Sequence, residues 1–289
     1  MKNNYSKIIA GCMSWGAWGK QFSKQEMTQQ IITTLEAGIT TFDHADIYGD
    51  YTTEGEFGKA FVESGVQREN IQLISKCGIQ YVGKSRDNEI KHYNYSKDYI
   101  IWSAERSLKE LHTDYLDVLL LHRPSPLMNP YEISSAVQQL KEQGKILSFG
   151  VSNFTPSQVN LISDDESVSV NQIEFSLSQH TAMHNGSLDQ MLQKEITPMC
   201  WSPLGTIFKE QSDANFRILE LLEVLSEKYE ATEDQLLLSW ILRHPATIHP
   251  VIGTTNSERI QNAVRATKIE LELEDWFSLL VACQGHKVP

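Results

Sequence analysis

The chain has 289 residues, 40% of them hydrophobic, with a formal net charge of -12. That length fits one α/β barrel and supplies a sizeable core. The acidity excludes the basic stripe that nucleic-acid partners need and disfavours an anionic membrane surface.

Short apolar runs alternate with amphipathic helical stretches along the whole chain. The first predicted strand is Ile8–Cys12, and a helix follows over Ser23–Ala37, ended by Gly38. Strands two and three are predicted at Thr41–His44 and Ile71–Lys76. The polar stretch Gly83–Tyr95 reads as a long loop, and Ser96 opens a helix to Leu111. Strand four is Leu116–Leu121, and a helix over Tyr131–Gln143 stops at Gly144. Strand five, Ser148–Val151, precedes a helix opened by Thr155-Pro156. Strand six is Val170–Ile173, Ser176–Ser187 is a loop, and Asp189–Lys194 is a short helix. Strand seven, Pro198–Trp201, leads into two successive helices, Phe216–Tyr229 and Thr232–Arg243. Strand eight is His249–Ile252, followed by helix Ser257–Thr267 and a helical tail, Glu274–Cys283. Each strand is a short apolar run without in/out alternation, as expected of parallel strands covered on both sides. Eight βα units predict a closed (β/α)8 TIM barrel, with extra helices before strand eight and at the C-terminus. We read residues 1–289 as a single barrel domain.

Cys12, Cys77, Cys200 and Cys283 form no C-x-x-C pair, which argues against a zinc or dithiol motif and suits a reducing compartment. Sequons begin at Asn4, Asn94, Asn153 and Asn185, but the apolar stretch before Cys12 is too short for a signal peptide. No apolar run reaches membrane-spanning length. The expectation is a cytoplasmic protein, monomeric or weakly homo-oligomeric, with no nucleic-acid or membrane partner. No G-x-G-x-x-G and no P-loop occur, which argues against a Rossmann site. His180 and His184 have i, i+4 spacing but no glutamate in a metalloprotease pattern, so no metal site is assigned.

Barrel enzymes place their chemistry at the C-terminal ends of strands. There this chain has Asp43 and His44, then Tyr48; Lys76; His122; Ser152 and Asn153; Gln172; Trp201 and Ser202; and Gly253 with Thr254. Each alone reads as a cap, a turn or a core residue. Together they fall on one end of the barrel, which independent caps would not do. A lysine ending an apolar strand needs a partner, and Asp43 is one strand away.

These residues lie in motifs that resemble the aldo-keto reductase family. Phe42-Asp43-His44-Ala45-Asp46-Ile47-Tyr48-Gly49 resembles its signature around strand two. Leu73–Lys76, Leu119–His122, Gly150–Phe154, Asn171–Glu174, Trp201–Gly205 and Ile252–Arg259 resemble later landmarks in the same order. His122-Arg123-Pro124 leans toward the family's bacterial oxidoreductase branch, and the likeness runs from about Ile8 to Ala266. The resemblance implies an NADP(H)-dependent enzyme that moves a hydride between nicotinamide and the carbonyl of a small molecule. Its catalytic tetrad would be Asp43, Tyr48, Lys76 and His122. A phenol titrates near pH 10, and a neighbouring Lys76 ammonium is expected to lower that value for Tyr48. Asp43 would hold Lys76, and His122 would orient the carbonyl oxygen.

The resemblance also implies that Ser152, Asn153 and Gln172 hold the nicotinamide carboxamide. Trp201, where the family usually has tyrosine, would stack on the ring. Ser202, Leu204, Gly205 and Thr254 would hold phosphates, and Arg259 would grip the adenosine 2′-phosphate. A lysine common in the family after strand eight is Gly253 here, and an acidic residue common on the adenine side is Asn262. Both departures weaken the preference for NADPH over NADH. We assign Trp15, Trp18 and Tyr51, in loops at the catalytic end, to the substrate-pocket wall, with ordinary packing as the alternative. Two rival functions carry distinct expectations: an NADPH-binding sensory module would turn over slowly, and an unrelated barrel isomerase would not bind nicotinamide.

Overall fold

The computed structural model describes residues 5–163 and 167–289. Strand β1 (Ile9–Gly11) pairs in parallel with β2 (Thr41–Asp43), and β2 with β3 (Gln72–Cys77). A short antiparallel hairpin, β4 (Ile79–Gln80) and β5 (His92–Tyr93), stands apart from the main sheet. The sheet continues through β6 (Leu116–Leu121), β7 (Ile146–Ser152), β8 (Val170–Glu174), β9 (Thr197–Trp201) and β10 (His249–Ile252). β10 returns to β1, with Ile9 opposite Val251 and Ala10 opposite Ile252, so eight strands close a barrel.

Helices cover the outside: α1 (Lys24–Glu36), a turn α2 (Tyr48–Tyr51), α3 (Thr53–Ser64), α4 (Lys97–Glu110) and α5 (Pro130–Glu142). Then come α6 (Pro156–Ser163), α7 (Ser187–Gln193), α8 (Asp213–Tyr229), α9 (Glu233–Leu242), α10 (Ser257–Arg265) and α11 (Leu273–Gln284). α8 and α9 follow each other before β10, and α11 closes the chain, as the sequence predicts. Caps mark the starts. Ser23 and Glu26 form a capping box on α1, and Asn256 accepts from Arg259 N–H at the start of α10. Among the described residues no helix is long and apolar enough to cross a membrane.

Several elements depart from the sequence reading, α3 and the β4–β5 hairpin among them. α3 is absent from it because Gly55 and Gly58 depress helix propensity. Those glycines are there for packing: a Cβ at Gly58 would overlap the Glu110 carbonyl oxygen at the end of α4. The hairpin partner β5 lies inside the stretch read as loop, too short and polar to show a period.

The core has two layers. Ile9, Ile74, Val118, Leu120, Val170, Met199 and Val251 fill the barrel interior. A larger cluster, including Phe42, Leu119, Phe149 and Cys200, fills the space between strands and helices.

Candidate active site

Strand side chains alternate between the two layers, and this parity decides which polar residues meet. Ile74 points inward and Ser75 outward, so Lys76 points inward. Phe42 packs outward against Phe57 and turns Asp43 in. Val170 and Met199 are inward, so Gln172 and Trp201 follow them. Val118 and Leu120 set the same phase for His122, one residue past β6. Asp43, Lys76, Gln172 and His122 therefore form a polar layer above the apolar plug.

Lys76, 1% exposed, donates to Asp43 Oδ2 at 2.8 Å, to the His44 carbonyl at 2.8 Å and to Tyr48 Oη at 3.0 Å. An ammonium has three protons and no lone pair, so these bonds use it completely. Tyr48 Oη is the acceptor in its bond with Lys76, which leaves its own proton free for another acceptor. The Tyr48 and His122 rings lie edge to face, 6.0 Å apart. Asp43 is occupied on both oxygens, since Gln172 Nε2 donates to Oδ1 at 2.8 Å.

Burial and neighbouring charge together set the titration of these groups. Burial pushes the Tyr48 phenol up, outweighing the opposing pull of Lys76. The lowered value that sequence reasoning predicts is thus reversed, and Tyr48 is a protonated phenol at neutral pH. Burial works against the Lys76 ammonium, yet the Asp43 charge beside it raises its pKa above the ordinary value. Burial, then the charges of Lys76, Arg123 and Lys91, holds His122 well below the usual imidazole range. His122 is neutral at pH 7 by the same reasoning, with Nδ1 buried and unpartnered.

Tyr48 sits at a forced turn. Gly49, Asp50 and Tyr51 are all left-handed, with φ of 63°, 59° and 67°. Such a conformation is unfavourable for non-glycine residues, and hydrogen bonds hold it. Asp50 Oδ2 accepts from the N–H groups of Lys84 and Ser85 at 2.7 and 3.2 Å. Tyr51 Oη accepts from Tyr81 N–H at 2.9 Å and donates to the Ile79 carbonyl at 3.3 Å. Tyr51 is therefore a buried anchor of this turn, which corrects its assignment to the pocket wall. Trp15 is corrected likewise: it is 1% exposed, packed among Phe22, Phe42 and Phe57. Trp18 is at the surface of the mouth, against the rings of Tyr48 and Tyr81.

On the opposite side, Ser152, Asn153 and Trp201 form one network. Ser152 Oγ donates to the Gln172 carbonyl at 2.8 Å and accepts from Asn153 Nδ2 and Arg123 Nη1. Asn153 Oδ1 accepts from Trp201 Nε1 at 3.2 Å. The next residues turn outward. Ser202 and Gly205 are left-handed, with φ of 51° and 55°, and Leu204 lies between them. Beyond β10, Gly253 is exposed and Thr254 half-buried. Arg259 is exposed in the first turn of α10, and no side-chain partner of it occurs among the described residues. Asn262 turns toward Arg265. His180 and His184 have their rings 5.5 Å apart in the loop after β8, away from this layer. Sequence reasoning named Arg123 only within a branch motif, and gave no role to it or to Tyr95, which holds it. A cation next to the predicted His122 was the available signal.

A profile of the aldo/keto reductase family matches residues 7–280. The uncharacterized oxidoreductase YcsN of Bacillus subtilis (strain 168) is 41% identical, over 99% of this chain and 96% of its own. A 6-dehydroglucose reductase of Agrobacterium fabrum is 36% identical, over 99% of this chain and 97% of its own. Among solved structures, an aldo/keto reductase from Klebsiella pneumoniae in complex with NADP and acetate superposes with a TM-score of 0.80. It is 24% identical and the match covers 95% of this chain and 90% of that one.

Proposed function

This chain belongs to the aldo/keto reductase family, and from that premise we propose that it reduces the carbonyl of a small aldehyde or ketone with NADPH. One observation carries the reading. Lys76 Nζ donates to Tyr48 Oη at 3.0 Å and can accept nothing, so the buried phenol keeps its own proton for an acceptor other than Lys76. That is the arrangement a general acid requires.

Reduced nicotinamide, when bound, supplies the hydride. The residues present suit it. Trp201 offers an inward indole whose plane is fixed by Asn153. The left-handed backbone at Ser202 and Gly205, Thr254 and the nine-residue helix α10 offer N–H and hydroxyl donors for phosphate. Arg259 supplies the unpaired guanidinium that a 2′-phosphate would take. Ser152 and Gln172 are already engaged in the barrel network, so they act by fixing Asn153 and Asp43 as well as by facing the ring.

The chain's own residues then do three things. Neutral His122 donates from its open nitrogen to the carbonyl oxygen and fixes its direction. Tyr48 gives its proton to that oxygen as negative charge develops there. The Lys76 ammonium, locked by Asp43, stabilises the phenolate left behind. Burial keeps the proton on Tyr48 at neutral pH, which is the form a general acid needs.

The test is Tyr48→Phe. Turnover with an aldehyde should fall roughly a hundred- to ten-thousand-fold, while the NADPH dissociation constant stays nearly unchanged. Near-normal turnover in the variant would overturn the assignment of the acid.

A further inference from the structure

Arg123, next to His122, has no part in the reaction described above. Its position is nevertheless tightly built. Tyr95 Oη donates to the Arg123 carbonyl at 2.6 Å and accepts from the Arg123 N–H at 3.1 Å, so one side chain grips both backbone groups. Tyr95 is in turn wedged against Gly78, where a Cβ would overlap its ring. The guanidinium uses Nη1 on Ser152 Oγ at 3.1 Å and on the His122 carbonyl at 3.3 Å. Its carbon lies 5.3 Å from the centre of the Trp201 ring.

Among the described residues no carboxylate forms a salt bridge with Arg123, and its Nε and Nη2 have no hydrogen-bond partner. Glu174, whose charge reaches it, is exposed at the end of β8. The charges of Lys76, Arg123 and Lys91 all bear on His122. Lys76 is paired with Asp43, so among the described residues the positive field at the reacting end comes chiefly from Arg123 and Lys91. Low-dielectric walls strengthen such a field. A half-buried guanidinium with two free donors and an indole beside it is suited to a planar anion.

We propose that Arg123 binds an acidic group of the substrate, so that the enzyme prefers carbonyl compounds bearing a carboxylate or a like anion over neutral ones. This rests on the carbonyl-reductase reading. The carbonyl oxygen would lie between Tyr48 and His122, and Arg123 would meet a substituent beyond the carbonyl carbon. Lys91, exposed near the hairpin, adds attraction at longer range.

The experiment measures kcat/KM with NADPH for two matched pairs: 4-carboxybenzaldehyde against benzaldehyde, and succinic semialdehyde against butanal. D-glyceraldehyde serves as a neutral polyhydroxy probe. Wild type, Arg123→Lys and Arg123→Met are compared. In at least one pair wild type should favour the acid by about tenfold or more, chiefly through KM. Arg123→Met should collapse that ratio about tenfold or more, with Arg123→Lys between. Any general loss through Ser152 cancels in the ratio. Added salt should raise KM for the acid alone. An unchanged ratio in Arg123→Met, or a wild type without preference for either acid, overturns the proposal and leaves carbonyl reduction standing. Losses on D-glyceraldehyde equal to those on the acids overturn it too, and make Arg123 a donor to hydroxyl groups. No turnover of any of these compounds overturns both readings.

Discussion

Each proton of the Lys76 ammonium has its own acceptor in Asp43, His44 or Tyr48, and the reactivity of Tyr48 follows from that count. Arg259 is the opposite case, a cation whose side chain meets no partner among the described residues. The bidentate fork of an arginine fits a phosphate and not a ribose hydroxyl. Arg259→Ala should therefore raise the NADPH dissociation constant about tenfold or more and change that of NADH far less. Fluorescence titration of both cofactors checks this, and equal weakening would make Arg259 a structural residue. The site was readable at this scale wherever a polar residue ends a strand, as Asp43 and Lys76 do, whereas Gln172 lies within its strand and took its role from the family resemblance. Trp15 and Tyr51 were misplaced because an aromatic in a loop gives no sign of its direction. Packing against Phe42 and Phe57 decides for Trp15, and the hydrogen bonds to residues 79 and 81 decide for Tyr51.

At the scale of elements, the eight strands were legible as apolar runs, but not their parity. Only the closed register shows that Ser75 faces α3 and α4 while Lys76 faces the mouth. α3 was illegible because the property that lets it pack, the missing side chain at Gly58, is the one that weakens its helical signal. On an exposed helix Gly→Ala stabilises by about 1 kcal/mol. Here Gly58→Ala should destabilise by roughly 2 kcal/mol, because the new methyl meets the Glu110 carbonyl and α3 must shift off α4. Chemical denaturation of the two proteins gives the sign directly, and a more stable variant would show that the two helices have slack between them.

At the scale of the whole molecule, the barrel carries buried acids in the helix layer as well as at its mouth. Ser75 and Ser107 donate to Glu54, and Ser103 donates to Asp46. Arg106 acts on both through its charge, and Arg86 on Asp46, without a salt bridge. Burial drives Glu54 from its ordinary 4.5 to about 7, and Asp46 from 3.8 to about 6. The folded chain therefore keeps protons that the unfolded chain has already released. Their stabilising effect is complete below the unfolded values and is lost as pH rises to about 7. Between about pH 5 and about pH 8, wild type should lose ~2.5 kcal/mol more stability than Glu54→Gln. Denaturation midpoints at the two pH values test this, and parallel behaviour of the two proteins would place the proton elsewhere.

The left-handed turn after Tyr48 has a further consequence, for how such an enzyme can be altered. Asp50 and Tyr51 are fastened to residues 79–85, which lead into the hairpin loop beside the mouth. The proton donor and that loop are joined as one mechanical part, although 28 residues separate Tyr51 from Ile79 in the chain. A loop transplanted from a relative would arrive without its fastening and leave Tyr48 poorly held. Residues 48–51 and 79–93 form the smallest graftable unit, and divergence of substrate range by exchange of loops would have to move both together.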